Sequence, residues 1–130
     1  MPAAYLDTSV LGRVLLGEPD TPAILEALAD FDQHVASRLV RIELRRLALR
    51  HGNLADADAL LAAIALIPLD DAVLAAAETV SPASVATLDA IHLVAAIRLA
   101  EAGLLEALMT YDARLSEGAR EHGLRVLSPR

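Results

Sequence analysis

Hydrophobic positions along this chain come in two textures. Short, mostly apolar runs lie near 3–6, 34–36, 67–69, 105–111 and 125–127. Between them, near 9–16, 22–31, 37–50, 54–66, 71–79, 88–102 and 113–122, apolar residues recur every three or four positions. The first texture marks strands buried on both faces and the second marks helices with one greasy side. Strands alternate with helices throughout, which predicts an α/β fold: a parallel five-stranded sheet flanked by helices on both faces. Turn residues punctuate the pattern at 17–19, 51–53, 81–84 and Gly103, and residues 80–86 form the one irregular connection. No repeat or low-complexity tract divides the 130 residues, so a single domain over 1–130 is expected.

Four acidic residues interrupt this pattern where burial is expected. Asp7 ends the first apolar run and Asp112 ends the fourth, each at a strand-to-helix turn. In a parallel sheet such turns share the carboxyl edge, where open α/β folds place their ligands, so the two are predicted to be neighbours. Counting about 100° per residue along 37–50, Glu43 falls among Leu39, Val40, Leu44 and Leu47, opposite Arg38, Arg41 and Arg45. Asp89 lies in the first turn of the helix 88–102, with Thr87 as its predicted cap, on the same side as His92 and Ala96.

Each acid has an ordinary alternative. Asp7 and Asp112 suit helix N-caps, Asp89 suits the positive end of a helix dipole, and Glu43 has Arg46 and Arg50 within two turns. Those readings do not explain why both strand-ending acids fall at one predicted edge. Clustered carboxylates repel and lose hydration unless cations or protons offset them, so a divalent metal site accounts for all four together. An all-oxygen donor set favours Mg²⁺ or Mn²⁺ over zinc. Thr8, Ser9 and Thr110 are placed to supply hydroxyls to the same site.

Charge first argues against a nucleic-acid partner, since the net charge is −7. Two divalent cations would offset four of those charges. Every basic residue is arginine, and Arg38, Arg41, Arg45, Arg46 and Arg50 crowd the helix that carries Glu43. Arginine forks match phosphate oxygens, which makes Arg38, Arg41 and Arg45 candidates for binding nucleic-acid phosphates; the alternative is a solvated face or a partner interface. Cysteine is absent, which excludes disulfides, thiolate zinc sites and a cysteine nucleophile. Hydrophobic residues make up 55% of the chain, yet charges break every apolar stretch before the about 20 residues that span a bilayer. No signal peptide is evident, so a cytoplasmic protein without a membrane segment is expected.

In order and spacing, Tyr5-Leu6-Asp7-Thr8-Ser9, Arg41-Ile42-Glu43-Leu44, Leu88-Asp89-Ala90-Ile91-His92-Leu93 and Thr110-Tyr111-Asp112 resemble the PIN-domain ribonucleases, in particular the VapC-type toxins of toxin–antitoxin pairs. The ending Gly123-Leu124-Arg125-Val126-Leu127-Ser128-Pro129 is similar to the last strand of that family. The resemblance implies a Mg²⁺- or Mn²⁺-dependent endoribonuclease that hydrolyses single-stranded RNA to leave a 5′-phosphate and a 3′-hydroxyl. It also implies a cognate antitoxin and a homodimer. On this reading Asp7, Asp89 and Asp112 are metal ligands, and Glu43 is a ligand or the base that orients the attacking water.

Other classes fit less well. A receiver domain resembles its family only with a critical lysine, and the chain has none; a haloacid-dehalogenase site wants Asp-x-Asp where Asp7 is followed by Thr8-Ser9. A nucleotide-binding P-loop lacks both its glycines and its lysine. The remaining alternative is a non-catalytic PIN-like module that binds RNA or protein. His92 is expected to be a partly buried packing histidine, and His34, His51 and His122 fall at element ends or turns.

Overall fold

The computed structural model describes residues 2–130. Five strands, β1 (Ala3–Leu6), β2 (Gln33–Ser37), β3 (Ala65–Ile67), β4 (Ala107–Met109) and β5 (Val126–Leu127), form one sheet in the order β3-β2-β1-β4-β5, and every pairing is parallel. Seven helices connect them among the described residues: α1 (Thr8–Leu15), α2 (Thr21–Leu28), α3 (Leu39–His51), α4 (Leu54–Ala62), α5 (Asp71–Ala77), α6 (Thr87–Glu101) and α7 (Ala113–Glu121).

The two-residue period of the strands splits the core into two layers. Ala4 and Leu6 of β1, with Ala36, Ala107 and Met109, pack under Val10, Leu11, Ile24, Val40, Leu44, Ala57 and Leu61 of α1 to α4. Ala3 and Tyr5, with Val35 and Leu108, pack against Leu93 and Ala96 of α6 and Leu115 and Ala119 of α7. The central strand β1 is buried on both faces, as its unbroken apolar run requires.

The strand and helix order matches the expectation, but several boundaries move. The third strand occupies Ala65–Ile67 rather than 67–69, because Pro68 has no N–H to give the ladder. The helix expected over 54–66 accordingly ends at Ala62, where residues further on are drawn into pairing with β2. Strand β4 is confined to Ala107–Met109 within the run 105–111. Ser37, expected in the third helix, closes β2 instead. The N-cap of α6 is Ala86 and not Thr87, which is already the first helical residue, so no side chain caps this helix. Asp70 caps α5 by accepting from the Val73 N–H at 2.8 Å.

Candidate active site

Strand order reverses at β1, which has β2 on one side and β4 on the other, and this opens a crevice at the carboxyl edge. Leu6 is in register with Met109, and the Asp7 N–H donates to the Met109 carbonyl at 3.1 Å. The two strand ends therefore deliver Asp7 and Thr110-Tyr111-Asp112 side by side. Helix α3 brings Glu43 from one layer, and α6 brings Asp89 and His92 from the other.

Asp7 is nearly buried, at 4% exposure, and both of its oxygens are engaged. Oδ1 accepts the Thr8 N–H at 2.7 Å, which is the N-cap of α1. Oδ2 accepts the Ser9 and Thr110 hydroxyls, each at 2.8 Å. Those hydroxyls are oriented in turn: Ser9 Oγ accepts the Tyr111 N–H at 3.0 Å and Thr110 Oγ1 accepts the Asp112 N–H at 3.0 Å. With lone pairs so occupied, each hydroxyl proton is aimed at Asp7. Asp112 caps α7 through Oδ1, which accepts the Leu115 N–H at 2.7 Å. Capping and membership of the acidic cluster hold together here, since each cap occupies only one carboxylate oxygen.

Glu43 faces the cluster and pairs with neither Arg46 nor Arg50. Its Oε1 accepts the Thr8 hydroxyl at 2.7 Å and lies 2.9 Å from His92 Nε2. Burial raises the Glu43 pKa, but the hydrogen bonds from His92 and Thr8 work against it, and the group sits below the usual carboxylate range. Asp89 behaves oppositely. Burial and then the negative charges of Asp7 and Asp112, with a smaller push from Glu43, raise it to about 6. The four acids are thus one electrostatic unit.

No three His, Asp or Glu side chains among the described residues converge as a ready-made ligand set. Among the described residues the four acids form a cluster without a closed coordination sphere. Hydroxyls and an N–H group hold the Asp7 oxygens. The donor chemistry nevertheless fits a hard divalent cation, because partly buried carboxylate oxygens carry unbalanced negative charge.

His92 departs from expectation. It is fully buried, not partly, and its ring nitrogens face Tyr5 and Glu43. Tyr5 was not singled out in the sequence; burial pushes its phenol pKa well up. The arginine face also differs from the simple stripe: Arg45 pairs with Asp58 of α4, whereas Arg38 is exposed and Arg41 half-buried. Arg13, another residue not singled out, lies 3.9 Å over the Tyr111 ring and pairs with Asp20 at 2.6 Å.

A stability experiment isolates Asp89. Folding raises its pKa from 3.8 to about 6, so the folded protein binds the proton more tightly and this contribution to stability falls as pH rises from about 4 to about 6. Glu43, shifted down, acts in the opposite sense, so wild type must be compared with Asp89→Asn. Without metal at pH 7, Asp89→Asn is expected to melt at or above the wild-type temperature and to lose most of the stabilisation that Mg²⁺ confers. A variant that melts lower without metal and gains normally from Mg²⁺ would reduce Asp89 to a helix-dipole residue.

A sequence profile of the PIN domain matches residues 4–121. Ribonuclease VapC47 of Mycobacterium tuberculosis is 39% identical over 132 residues, covering 96% of this chain and 96% of that protein. Ribonuclease VapC46 of the same species is 36% identical over 131 residues, covering 99% of each. The chain belongs to the PIN-domain family and, within it, to the VapC group. Solved structures share the fold: a toxin–antitoxin complex from Klebsiella pneumoniae has a TM-score of 0.72 at 18% identity over 98% of both chains. M. tuberculosis VapC20, described as a sarcin-ricin loop cleaving toxin, has a TM-score of 0.69 at 15% identity, covering 88% of this chain and 93% of that one.

Proposed function

We propose that this protein is the toxin of a toxin–antitoxin pair, a Mg²⁺- or Mn²⁺-dependent endoribonuclease that cuts single-stranded regions of RNA and is inhibited by a cognate antitoxin. The observation that carries the proposal is the gathering of Asp7, Glu43, Asp89 and Asp112 at the sheet's carboxyl edge, close enough for Asp7 and Asp112 to raise Asp89. Ribonuclease relatives of nearly full length support the reaction, and the toxin–antitoxin complex with the same fold supports the partner.

Asp7, Asp89 and Asp112 would hold the cation, and Glu43 would serve as a further ligand or as the base that orients water. When bound, the cation supplies an acidified water and neutralises charge on the phosphodiester. The chain itself supplies alignment. Ser9 and Thr110 fix Asp7, and Thr8 and His92 fix Glu43. Arg38 and Arg41 remain candidates for RNA phosphates; Arg45 reaches them only by leaving Asp58. The proposal includes a PIN domain over 1–130, a homodimer and a cytoplasmic setting; no helix among the described residues is long and apolar enough to cross a membrane.

Mapping RNA 5′ ends in cells that express the wild-type chain or Asp7→Asn tests the proposal. New ends are expected with wild type and not with the variant. Equal ends from both would remove the acid cluster from the reaction, and no new ends from either would favour a non-catalytic module.

A further inference from the structure

Tyr5 and His92 hold none of the ligand or hydroxyl roles above, yet both are wholly buried beside the acids and joined at 2.7 Å between the phenol oxygen and Nδ1. The Ser37 N–H, at the end of β2, donates to the same phenol oxygen at 3.0 Å. On the other side of the imidazole, Nε2 stands 2.9 Å from Glu43 Oε1 and 3.6 Å from Asp7 Oδ1, the latter beyond hydrogen-bond reach.

Proton bookkeeping fixes the direction of this chain. If Nδ1 carried the imidazole proton, the Nε2 lone pair would face a carboxylate oxygen at 2.9 Å, two acceptors in contact. If both nitrogens carried protons, the phenol would accept from the Ser37 N–H and His92, and its own buried O–H would have only the Ser37 hydroxyl, which makes no hydrogen bond here, to turn to. One arrangement gives each of the three contacts at hydrogen-bond distance one donor and one acceptor: Ser37 N–H to Tyr5, Tyr5 O–H to Nδ1, and Nε2–H to Glu43 Oε1.

The consequence falls on Glu43. Thr8 Oγ1 donates to the same Oε1 at 2.7 Å, so both protein donors occupy one oxygen and Oε2 is left to the site. We propose that Tyr5 and His92 form a positioning relay that holds Glu43 by Oε1 and presents Oε2 to the reaction, and that His92 is not a metal ligand. The inference rests on the ribonuclease reading for its effect on rate. The relay also ties together the two helical layers, since α3 and α6 lie on opposite faces of the sheet.

Two measurements test it. In Mg²⁺-loaded wild-type protein, long-range ¹H–¹⁵N NMR of His92 should show the Nε2–H tautomer with an unprotonated Nδ1. An Nδ1–H tautomer, or a doubly protonated ring, would overturn the relay without reference to activity. In single-turnover RNA cleavage, Tyr5→Phe is expected to lower the rate about tenfold and His92→Leu on the order of 10²-fold, with RNA affinity little changed. His92→Gln, whose amide can still donate to Oε1, should recover part of the His92→Leu loss. Tyr5→Phe cleaving as fast as wild type would overturn the relay alone, whereas a wild-type protein that does not cut RNA would overturn the ribonuclease reading and leave the tautomer result standing.

Discussion

Glu43→Gln is expected to bind RNA as the wild type does and to cut it on the order of 10³-fold more slowly, the range expected when a general base or equivalent site group is lost. Glutamine preserves the length and shape of the side chain. Its amide oxygen can still accept from Thr8 and His92, the two donors that meet Oε1 at 2.7 and 2.9 Å. The amide nitrogen then takes the place of Oε2. A neutral donor there neither binds a cation nor accepts a proton from water, so the loss falls on the chemical step. Helix α3 and its arginines are untouched, which is why RNA affinity should hold. Binding titrations, single-turnover rates and thermal melts on the same preparations separate these effects. Cleavage within about threefold of wild type would remove Glu43 from the chemistry, since such a change corresponds to less than about 1 kcal/mol in the barrier.

Much of this site is legible in the chain because its acids violate local pattern. Glu43 stands out on an apolar helix face, and Asp7 and Asp112 stand out because each stops an apolar run; parallel topology then brings both to one edge. The hydroxyls of Thr8, Ser9 and Thr110 follow from their closeness to those acids in sequence. What sequence proximity does not encode is the partner across the fold. Tyr5 reads as one more strand residue, and nothing local links it to His92, 87 positions away. The same holds for His92: its full burial and both of its partners come from elements that meet only in the folded sheet. Arg45 illustrates the same limit, because its Asp58 partner lies on the next helix. Boundaries shift for a related reason. Residues 60–67 are almost uniformly apolar, so their pattern does not mark where α4 ends and β3 begins; pairing with β2 and the missing N–H of Pro68 decide it.

The central claim is that the acid cluster works through a divalent cation, and its most direct measurement is RNA cleavage by the purified chain with the cation removed and restored. Excess chelator should lower the rate by a factor of about 10³ or more, because the cation supplies several kcal/mol of charge stabilisation and each 1.36 kcal/mol is about tenfold in rate. Adding back Mg²⁺ or Mn²⁺ should restore it. Asp7→Asn, assayed alongside, should stay slow in either condition and so show that the recovered activity belongs to this site and not to a contaminating nuclease. Cleavage that continues undiminished in chelator would contradict the account.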